Sequence, residues 1–435
     1  MSSTSLAGGL PDAQRAPSPW LPLRFILLGI ASLLTSVVLV VVRPDLLATY
    51  HYNQYIIAVS HLFILGFLLS VIMGAMYQMA PVVLEVTLHS ERLGAWHFAG
   101  HLAAVVGLVW SFWSWQMLAA IASGALLTVG VGLFVYNLAR TLRKRRHWDL
   151  ASATFAAVLG WLMLTVLAGL YLAASKVWVF SPFNPIAAMH AHAHLGALGA
   201  FIILLVGVSY RLLPMFLLVE LPSPRRAAFS LITLNVATLV LFVTLLLDSP
   251  WKLAGALLAV AGLTAYGLEV IALLRAPGRR ALDGGLRQFY AALSLLAPTA
   301  ALGLVLTWPG LPATLLTTQL ETVYGFLALA GVLTLAIVGM LYKILPFLVW
   351  LHAYGPHVGS RRLPALNDLY SQTLQTAGLW SYLAALGIVA VAAALGHEPG
   401  VRIGSSLWAL SLALFALNVG RILSHALYPR NPSPN

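Results

Sequence analysis

The sequence contains no cysteine, which excludes disulfide frameworks, thiolate nucleophiles, cysteine-ligated zinc and iron–sulfur centres. Charge is also scarce, because Asp, Glu, Lys and Arg make up only 8% of the 435 residues, whereas a soluble domain carries roughly 25%. Hydrophobic residues make up 60% of the chain. This balance excludes a soluble globular enzyme, a disordered chain and a nucleic-acid-binding protein.

Long apolar stretches dominate the sequence instead. A membrane-spanning helix needs about 20 predominantly apolar residues. Twelve such stretches predict an all-α integral membrane protein with twelve transmembrane helices in one bundle. They are residues 22–43, 54–83, 93–113, 115–139, 150–174, 186–218, 227–247, 251–274, 287–307, 316–350, 369–394 and 403–425. We therefore expect a membrane domain over 22–425 within the lipid bilayer, flanked by cytoplasmic tails at 1–21 and 426–435.

The basic residues are distributed asymmetrically between the two sides of this predicted bundle. If the N-terminus is inside, all but four of the 24 Lys and Arg residues lie in inner loops or inner helix ends. The four exceptions are Arg43, Lys176, Lys252 and Arg402. The positive-inside rule then predicts cytoplasmic N- and C-termini for a multi-pass protein of the bacterial inner membrane. Anionic lipid accounts for the basic runs, so no nucleic acid is expected as a partner.

The second, sixth and tenth helices share a pattern of Gly, Tyr and Pro at 13, 16 and 20 residues after a first position. The members are His61, Gly74, Tyr77 and Pro81; His194, Gly207, Tyr210 and Pro214; and Phe326, Gly339, Tyr342 and Pro346. Twenty helical residues span about 30 Å, so the first positions should lie in the outer leaflet. We expect the glycines to allow close helix packing and the prolines to end or bend each helix at the inner boundary. The pattern predicts three four-helix units around a pseudo-threefold axis.

Histidines within the spans are the candidate ligands, because a polar residue at that depth requires a partner, a cavity or a metal. His190 lies one turn above His194 on the same helix face, so this pair is able to chelate one metal ion, whereas His192 points the other way. His97 and His101 form a second pair of this kind on the third helix. For all of these residues, and for His61, hydrogen bonding across helices is the alternative to ligation.

Other polar residues near the helix ends leave further questions open. His51 lies in an outer loop and is expected to be solvated. Glu321 and Tyr324 lie at the outer end of the tenth helix, where they open either onto the histidine level or only onto water. Glu269, near the inner end of the eighth helix, is expected to pair with Arg275.

The helix number, the repeat and the segments HAHAHLGALGAF and GVSYRLLP together resemble the haem–copper oxidase subunit I superfamily over about residues 22–425. The nearest likeness is to divergent stand-alone members related to cbb3-type oxidases and nitric oxide reductases. The resemblance implies haem b and/or copper as cofactors. It matches His61 to the haem ligand of the second helix and one of His190, His192 and His194, with His194 favoured, to the copper ligand of the sixth. The implied partners are respiratory-chain subunits or a cytochrome or quinol electron donor.

Two departures from that family limit the activity that the resemblance implies. The family's seventh helix supplies two further copper ligands, but residues 227–247 contain no histidine here. Its tenth helix supplies paired haem ligands, but Phe326 occupies the register and residues 316–350 contain no histidine. We therefore expect a haem- and/or copper-binding membrane protein with a redox or O2/NO-handling role and no complete binuclear oxygen-reducing centre. Whether it is an oxidoreductase is open, and no catalytic residue is assigned. The alternatives are a non-redox accessory or scaffold subunit of a respiratory complex and, third, a transporter.

Overall fold

A computed structural model describes residues 18–278, 281–358 and 363–428 of the chain. Twelve of its helices are long and apolar enough to cross a membrane, and no β-strand occurs among the described residues. The helices are α1 (Trp20–Val42), α2 (Gln54–Val83), α3 (Glu91–Trp113), α4 (Met117–Leu142), α5 (Leu150–Ser175), α6 (Pro185–Leu217), α7 (Pro224–Leu246), α8 (Lys252–Arg275), α9 (Gly284–Leu306), α10 (Leu315–Ala353), α11 (Gln372–Ala394) and α12 (Glu398–Leu427). The predicted all-α, twelve-span architecture is confirmed.

Most of the two predicted tails lies outside the described residues, which begin at Ser18 and end at Tyr428. Residues 279–280 and 359–362, with four of the basic residues counted above, also lie outside them. We call the side of the bundle that carries the α1–α2 connection, residues 43–53, the upper side, and the opposite side the lower side.

Three units of four helices, α1–α4, α5–α8 and α9–α12, repeat the same internal packing. In each unit the third and fourth helices pack side by side, and the first helix packs against the second. The repeat glycines lie at this second contact. A Cβ added at Gly74 would come within 2.7 Å of the Pro22 carbonyl oxygen of α1, and one at Gly207 would overlap the Thr154 side chain of α5. The close packing expected at these glycines is therefore confirmed.

The fourth helix of the first and third units holds the start of the third helix through an asparagine. On α4, Asn137 accepts a hydrogen bond from Ser90 N at 3.0 Å and donates one to Ser90 O at 2.7 Å. On α12, Asn418 makes the same pair of bonds with Ser371 N and Ser371 O, at 2.9 and 3.0 Å. Each serine is the N-cap of the following helix, so the amide satisfies backbone groups that a helix start leaves unpaired. We call these contacts the asparagine interlocks.

The second unit uses a carboxylate at the same place. Glu269 on α8 is fully buried and accepts hydrogen bonds from Ser223 N and Arg226 Nε, each at 2.6 Å. Ser223 is the N-cap of α7, which makes this the equivalent of the asparagine interlocks with an ion pair added. The expected pairing of Glu269 with Arg275 is wrong, because the cation that pairs with Glu269 is Arg226, at the start of α7.

Each second helix of a unit contains a π-helical segment, which the sequence pattern does not predict. The segments are Leu62–Leu69, Leu195–Ile202 and Leu327–Thr334, and each begins directly after the first position of the repeat. A π-helical turn interrupts the normal ladder of backbone hydrogen bonds and frequently marks a functional site. In the first unit His101 Nε2 lies 3.3 Å from the Leu65 carbonyl oxygen, and in the third the Tyr382 hydroxyl donates to the Ala330 carbonyl at 2.8 Å.

The repeat prolines all lie inside their helices. Helix α2 ends two residues after Pro81, and α6 ends three residues after Pro214, as expected of a residue that lacks a backbone donor. Helix α10 instead continues past Pro346 to Ala353. Of the two expected effects, ending or bending the helix, Pro346 therefore does not end α10.

Candidate metal centre

The first positions of the first two repeats hold imidazoles in the same hydrogen-bonded arrangement. Nδ1 of His61 lies 2.7 Å from the carbonyl oxygen of Ile57, and Nδ1 of His194 lies 2.8 Å from that of His190. A carbonyl oxygen only accepts, so Nδ1 carries the proton and Nε2 keeps its lone pair. Metal-bound histidines are commonly oriented by such a bond from the nitrogen that does not ligate. Each Nε2 is therefore set up to bind a metal ion or a haem iron.

Aromatic side chains from other helices surround these two half-buried imidazoles. The His61 ring centroid lies 4.8 Å from that of Phe112 on α3. The His194 ring stacks on Tyr324 of α10 at 5.9 Å, with the phenol oxygen 3.4 Å from His194 Nε2. Of the two alternatives left by the sequence, Tyr324 therefore opens onto the histidine level. The hydroxyl group contributes a proton donor beside the nitrogen that would ligate.

His192 lies on a different face of α6 and packs against α5. A Cβ added at Gly169 would lie 3.0 Å from the His192 Cε1 atom, so the glycine makes room for the ring. His192 Nδ1 is buried and has no hydrogen-bond partner among the described residues. His61 is near enough to interact with it electrostatically. An unpaired buried nitrogen beside a second imidazole is consistent with a site that takes a bound group.

His97 and His101 hold α3 against α2. His97 Nδ1 lies 3.0 Å from the Tyr77 hydroxyl, and His101 Nε2 lies 2.9 Å from the Ser70 hydroxyl. Both rings pack against Phe25, with centroids at 4.9 and 5.9 Å. These contacts are hydrogen bonds across helices, and they leave His97 Nε2 and His101 Nδ1 buried without a hydrogen-bond partner among the described residues.

A third group of ligand atoms was missed by the sequence analysis. His51 in the α1–α2 connection, His190 on α6 and Glu321 on α10 place one ligand atom each within 4.8 Å of one another. The expected solvation of His51 is wrong, because only 16% of its side chain is exposed. The spacing of residues along the sequence does not reveal this group, because His51 in a loop meets side chains of two helices that come much later in the chain. We call this group the upper triad. His190 belongs to it, whereas His194, one helical turn further along α6, contacts Tyr324.

The third repeat carries an aromatic side chain where the first two repeats carry an imidazole. Phe326, at the first position of the third repeat, is buried and meets Trp408 of α12 edge to face, with centroids 5.6 Å apart. Helix α7 contains no histidine over its described length. Among the described residues, the imidazoles at the upper end of the bundle are thus those of α2 and α6, with His51 and His397 from the connections.

No protein-family model and no curated protein sequence matches the chain. In fold, it is similar to a chain in the cryo-EM structure of a heme-copper terminal oxidase dimer, with a TM-score of 0.64. The match covers 96% of this chain and 86% of that one, at 11% sequence identity. Identity at this level makes the likeness one of fold. The chain is thus a multi-pass membrane protein whose twelve helices adopt the haem–copper oxidase subunit I fold.

Proposed function

We propose that this protein binds haem or copper through His61 and His194 and has a redox or O2/NO-handling role in a bacterial inner membrane. The observation that carries the proposal is the matched pair of imidazoles with Nδ1 held by a backbone carbonyl, at the same register of two repeat helices. A bound haem iron or copper ion would supply one-electron redox chemistry and a binding position for a diatomic gas.

The donor set fits such a group in two respects. Two neutral imidazoles are typical ligands of haem iron and of copper, and the unpaired nitrogen of His192 adds a third imidazole beside His61. Histidines are rare inside membrane helices unless they line a cavity, pair with one another or serve a function. Within the site, the ligand would take the Nε2 lone pair of His194 in place of the Tyr324 hydroxyl, which lies 3.4 Å from that nitrogen.

The same site argues against a complete oxygen-reducing centre. Phe326 replaces the third imidazole of the repeat, and α7 offers no histidine. We therefore propose a single haem or copper group served by a cytochrome, a quinol or a respiratory subunit as electron donor. The excess of basic residues on the lower side supports cytoplasmic termini.

One observation favours a second candidate function, that of an accessory subunit without redox chemistry. Phe326 is buried against Trp408 like other core residues. His97 and His101 form hydrogen bonds across helices. A chain that kept the fold for assembly and lost its ligands would show both features. Co-purification with respiratory subunits that survives replacement of His61 and His194 by alanine would favour this function.

The visible absorption spectrum, with iron and copper analysis, tests the proposal. Protein purified in mild detergent should show a Soret band or about one copper per chain. The His61→Ala or the His194→Ala variant should lose that signal. His147→Ala, which removes an exposed histidine of the lower side, is the matched control and should retain it. Exposure of the reduced protein to NO or CO should shift the spectrum. Absence of iron and copper from folded wild-type protein would refute the proposal.

A further inference from the structure

We propose that the upper triad is a binding site for a divalent first-row transition metal ion, held by His51, His190 and Glu321 and separate from the haem or copper group proposed above. The three side chains come from three elements: the α1–α2 connection, the second turn of α6 and the second turn of α10. Their candidate ligand atoms all lie within 4.8 Å of one another, with His51 Nε2 3.9 Å from a Glu321 carboxylate oxygen. The rings of His51 and His190 lie 5.8 Å apart and 32° from parallel.

The geometry is close to that of a loaded site. Imidazole nitrogen and carboxylate oxygen bind Zn2+ at about 2.0–2.2 Å, which places tetrahedral ligands roughly 3.4 Å apart. The three ligand atoms are within 4.8 Å of one another. The closure required is therefore on the order of 1 Å, which rotation of the Glu321 and His51 side chains supplies. A fourth position remains for water, as in sites with two histidines and one carboxylate.

Neighbouring groups orient His51 for ligation. The Thr322 hydroxyl lies 3.4 Å from His51 Nδ1 and also 3.4 Å from the Thr318 carbonyl oxygen. If the hydroxyl donates to that carbonyl, it accepts from Nδ1–H of His51 and leaves Nε2 as the ligating atom facing Glu321. The Tyr50 ring packs against His51 with centroids 4.8 Å apart. Such partners of a ligating histidine fix its tautomer and its orientation.

The loop that carries His51 is itself anchored. Gln319, buried on α10, donates a hydrogen bond of 2.7 Å to the carbonyl oxygen of Ala48. Arg43 forms two hydrogen bonds with Asp45, at 2.9 and 2.7 Å, at the start of the short helix Asp45–Ala48. The loop is thus tied to the helix that supplies Glu321, so the triad is held together by more than its own contacts.

Charge and ligand type indicate the class of ion. Two neutral imidazoles and one carboxylate give a net charge of −1, which favours a divalent cation. The nearest cation, Lys252, interacts electrostatically with His190 and Glu321, and is itself paired with Asp248 at 3.5 Å. Imidazole ligands favour copper, zinc, iron and nickel, whereas calcium and magnesium prefer oxygen alone. Among these divalent ions, affinity rises to Cu2+ and falls again at Zn2+.

Metal titration of the full chain tests this site. Chelator-treated protein in detergent is dialysed to equilibrium against Cu2+ or Zn2+, and bound metal is measured by elemental analysis. Wild-type protein should bind one equivalent of Cu2+ at the triad. The His51→Ala and Glu321→Gln variants should each bind this ion at least about tenfold more weakly, because loss of even an outer partner of a metal ligand lowers metal affinity 10–100-fold. The EPR spectrum of bound Cu2+ should show nitrogen ligation that His51→Ala reduces.

Two further variants keep the outcomes distinct. His147→Ala controls for loss of any histidine, and His194→Ala removes a ligand of the proposed haem or copper group while leaving the triad intact. His51→Ala should leave the haem or copper signal of the proposed function unchanged, so each proposal can fail alone. Gel filtration and circular dichroism establish that each variant is folded. Folded wild-type protein that binds neither ion, or the same number of bound ions in wild type and in both the His51→Ala and the Glu321→Gln variants, would overturn the inference.

Discussion

In each unit, one buried residue on the fourth helix bonds to the start of the third helix. Replacing this residue should destabilise the bundle most strongly in the second unit. Asn137, Glu269 and Asn418 are all fully buried, and each makes two hydrogen bonds to the start of the third helix of its own unit. The three positions recur with the repeat, so a comparison among them separates the contribution of the carboxylate from that of the shared geometry.

The magnitudes follow from what each substitution leaves unpaired. Asn137→Ala or Asn418→Ala strands the backbone N–H of Ser90 or Ser371 near the lower boundary, which costs about 2 kcal/mol; the carbonyl of each serine still accepts from the helix that it caps. Glu269→Ala strands Ser223 N and also the Arg226 guanidinium. Breaking a buried ion pair costs about 3–5 kcal/mol, and we take about 3 kcal/mol because a third of the Arg226 side chain is exposed. Glu269→Gln keeps the bond from Ser223 N and should cost only about 1–2 kcal/mol.

Reversible unfolding with SDS in mixed micelles, followed by circular dichroism, measures these free energies. Glu220→Ala, an exposed acidic residue of the lower side, is the matched control and should change the free energy of unfolding by under about 0.5 kcal/mol. The double variant Asn137→Ala/Asn418→Ala should show additive losses, because the two sites lie in different units. If Glu269→Ala lowered the free energy of unfolding no more than Glu220→Ala does, the reasoning from these hydrogen bonds would be refuted.

Three further predictions concern packing, the π-helical segment and pH. Gly207→Ala should lower the free energy of unfolding by about 1–3 kcal/mol, because the new Cβ overlaps Thr154, and SDS unfolding would detect it. His101→Phe should cost about 1–3 kcal/mol by removing the buried imidazole bonded to the Ser70 hydroxyl and to the Leu65 carbonyl, which then keeps only Ser70 as its side-chain donor, without lowering haem or copper content. Arg43 holds the pKa of Asp45 below its usual 3.8 by hydrogen bonding, so this pair stabilises the folded state above that pH and the contribution disappears as pH falls below it. Asp45→Asn should accordingly lower the melting temperature slightly at pH 7, and the difference from wild type should shrink as the pH falls through the lowered pKa of Asp45.

Apolar length and the repeat predicted most of the architecture. The predicted stretch at 54–83 coincides with α2, and the repeat glycines mark real close contacts, because hydrophobic periodicity and small residues report on the helix that bears them. The predicted stretch at 287–307 is less accurate, because α9 begins at Gly284 and is interrupted at Leu295. Pro298 lies three residues after the break and lacks the backbone N–H that would bond to Ser294, so the interruption has a local signal that apolar length alone does not capture.

The candidate site was only half accessible to sequence reasoning. The shared register of His61 and His194 was visible, but the π-helical segments that follow them were not, because carbonyl groups in such a segment meet side chains of other helices, as Leu65 O meets His101 of α3. His51 is a loop residue whose neighbour Glu321 lies 270 positions further along the chain. Only the assembled bundle brings those two together.

An experimental density map of the full chain, purified from a host replete in haem and copper, tests the central claim most directly. The account predicts density for a porphyrin or an ion that is continuous with the Nε2 atom of His61 or His194. A map in which both Nε2 atoms face only protein side chains or lipid, with no group bound to either, would contradict it.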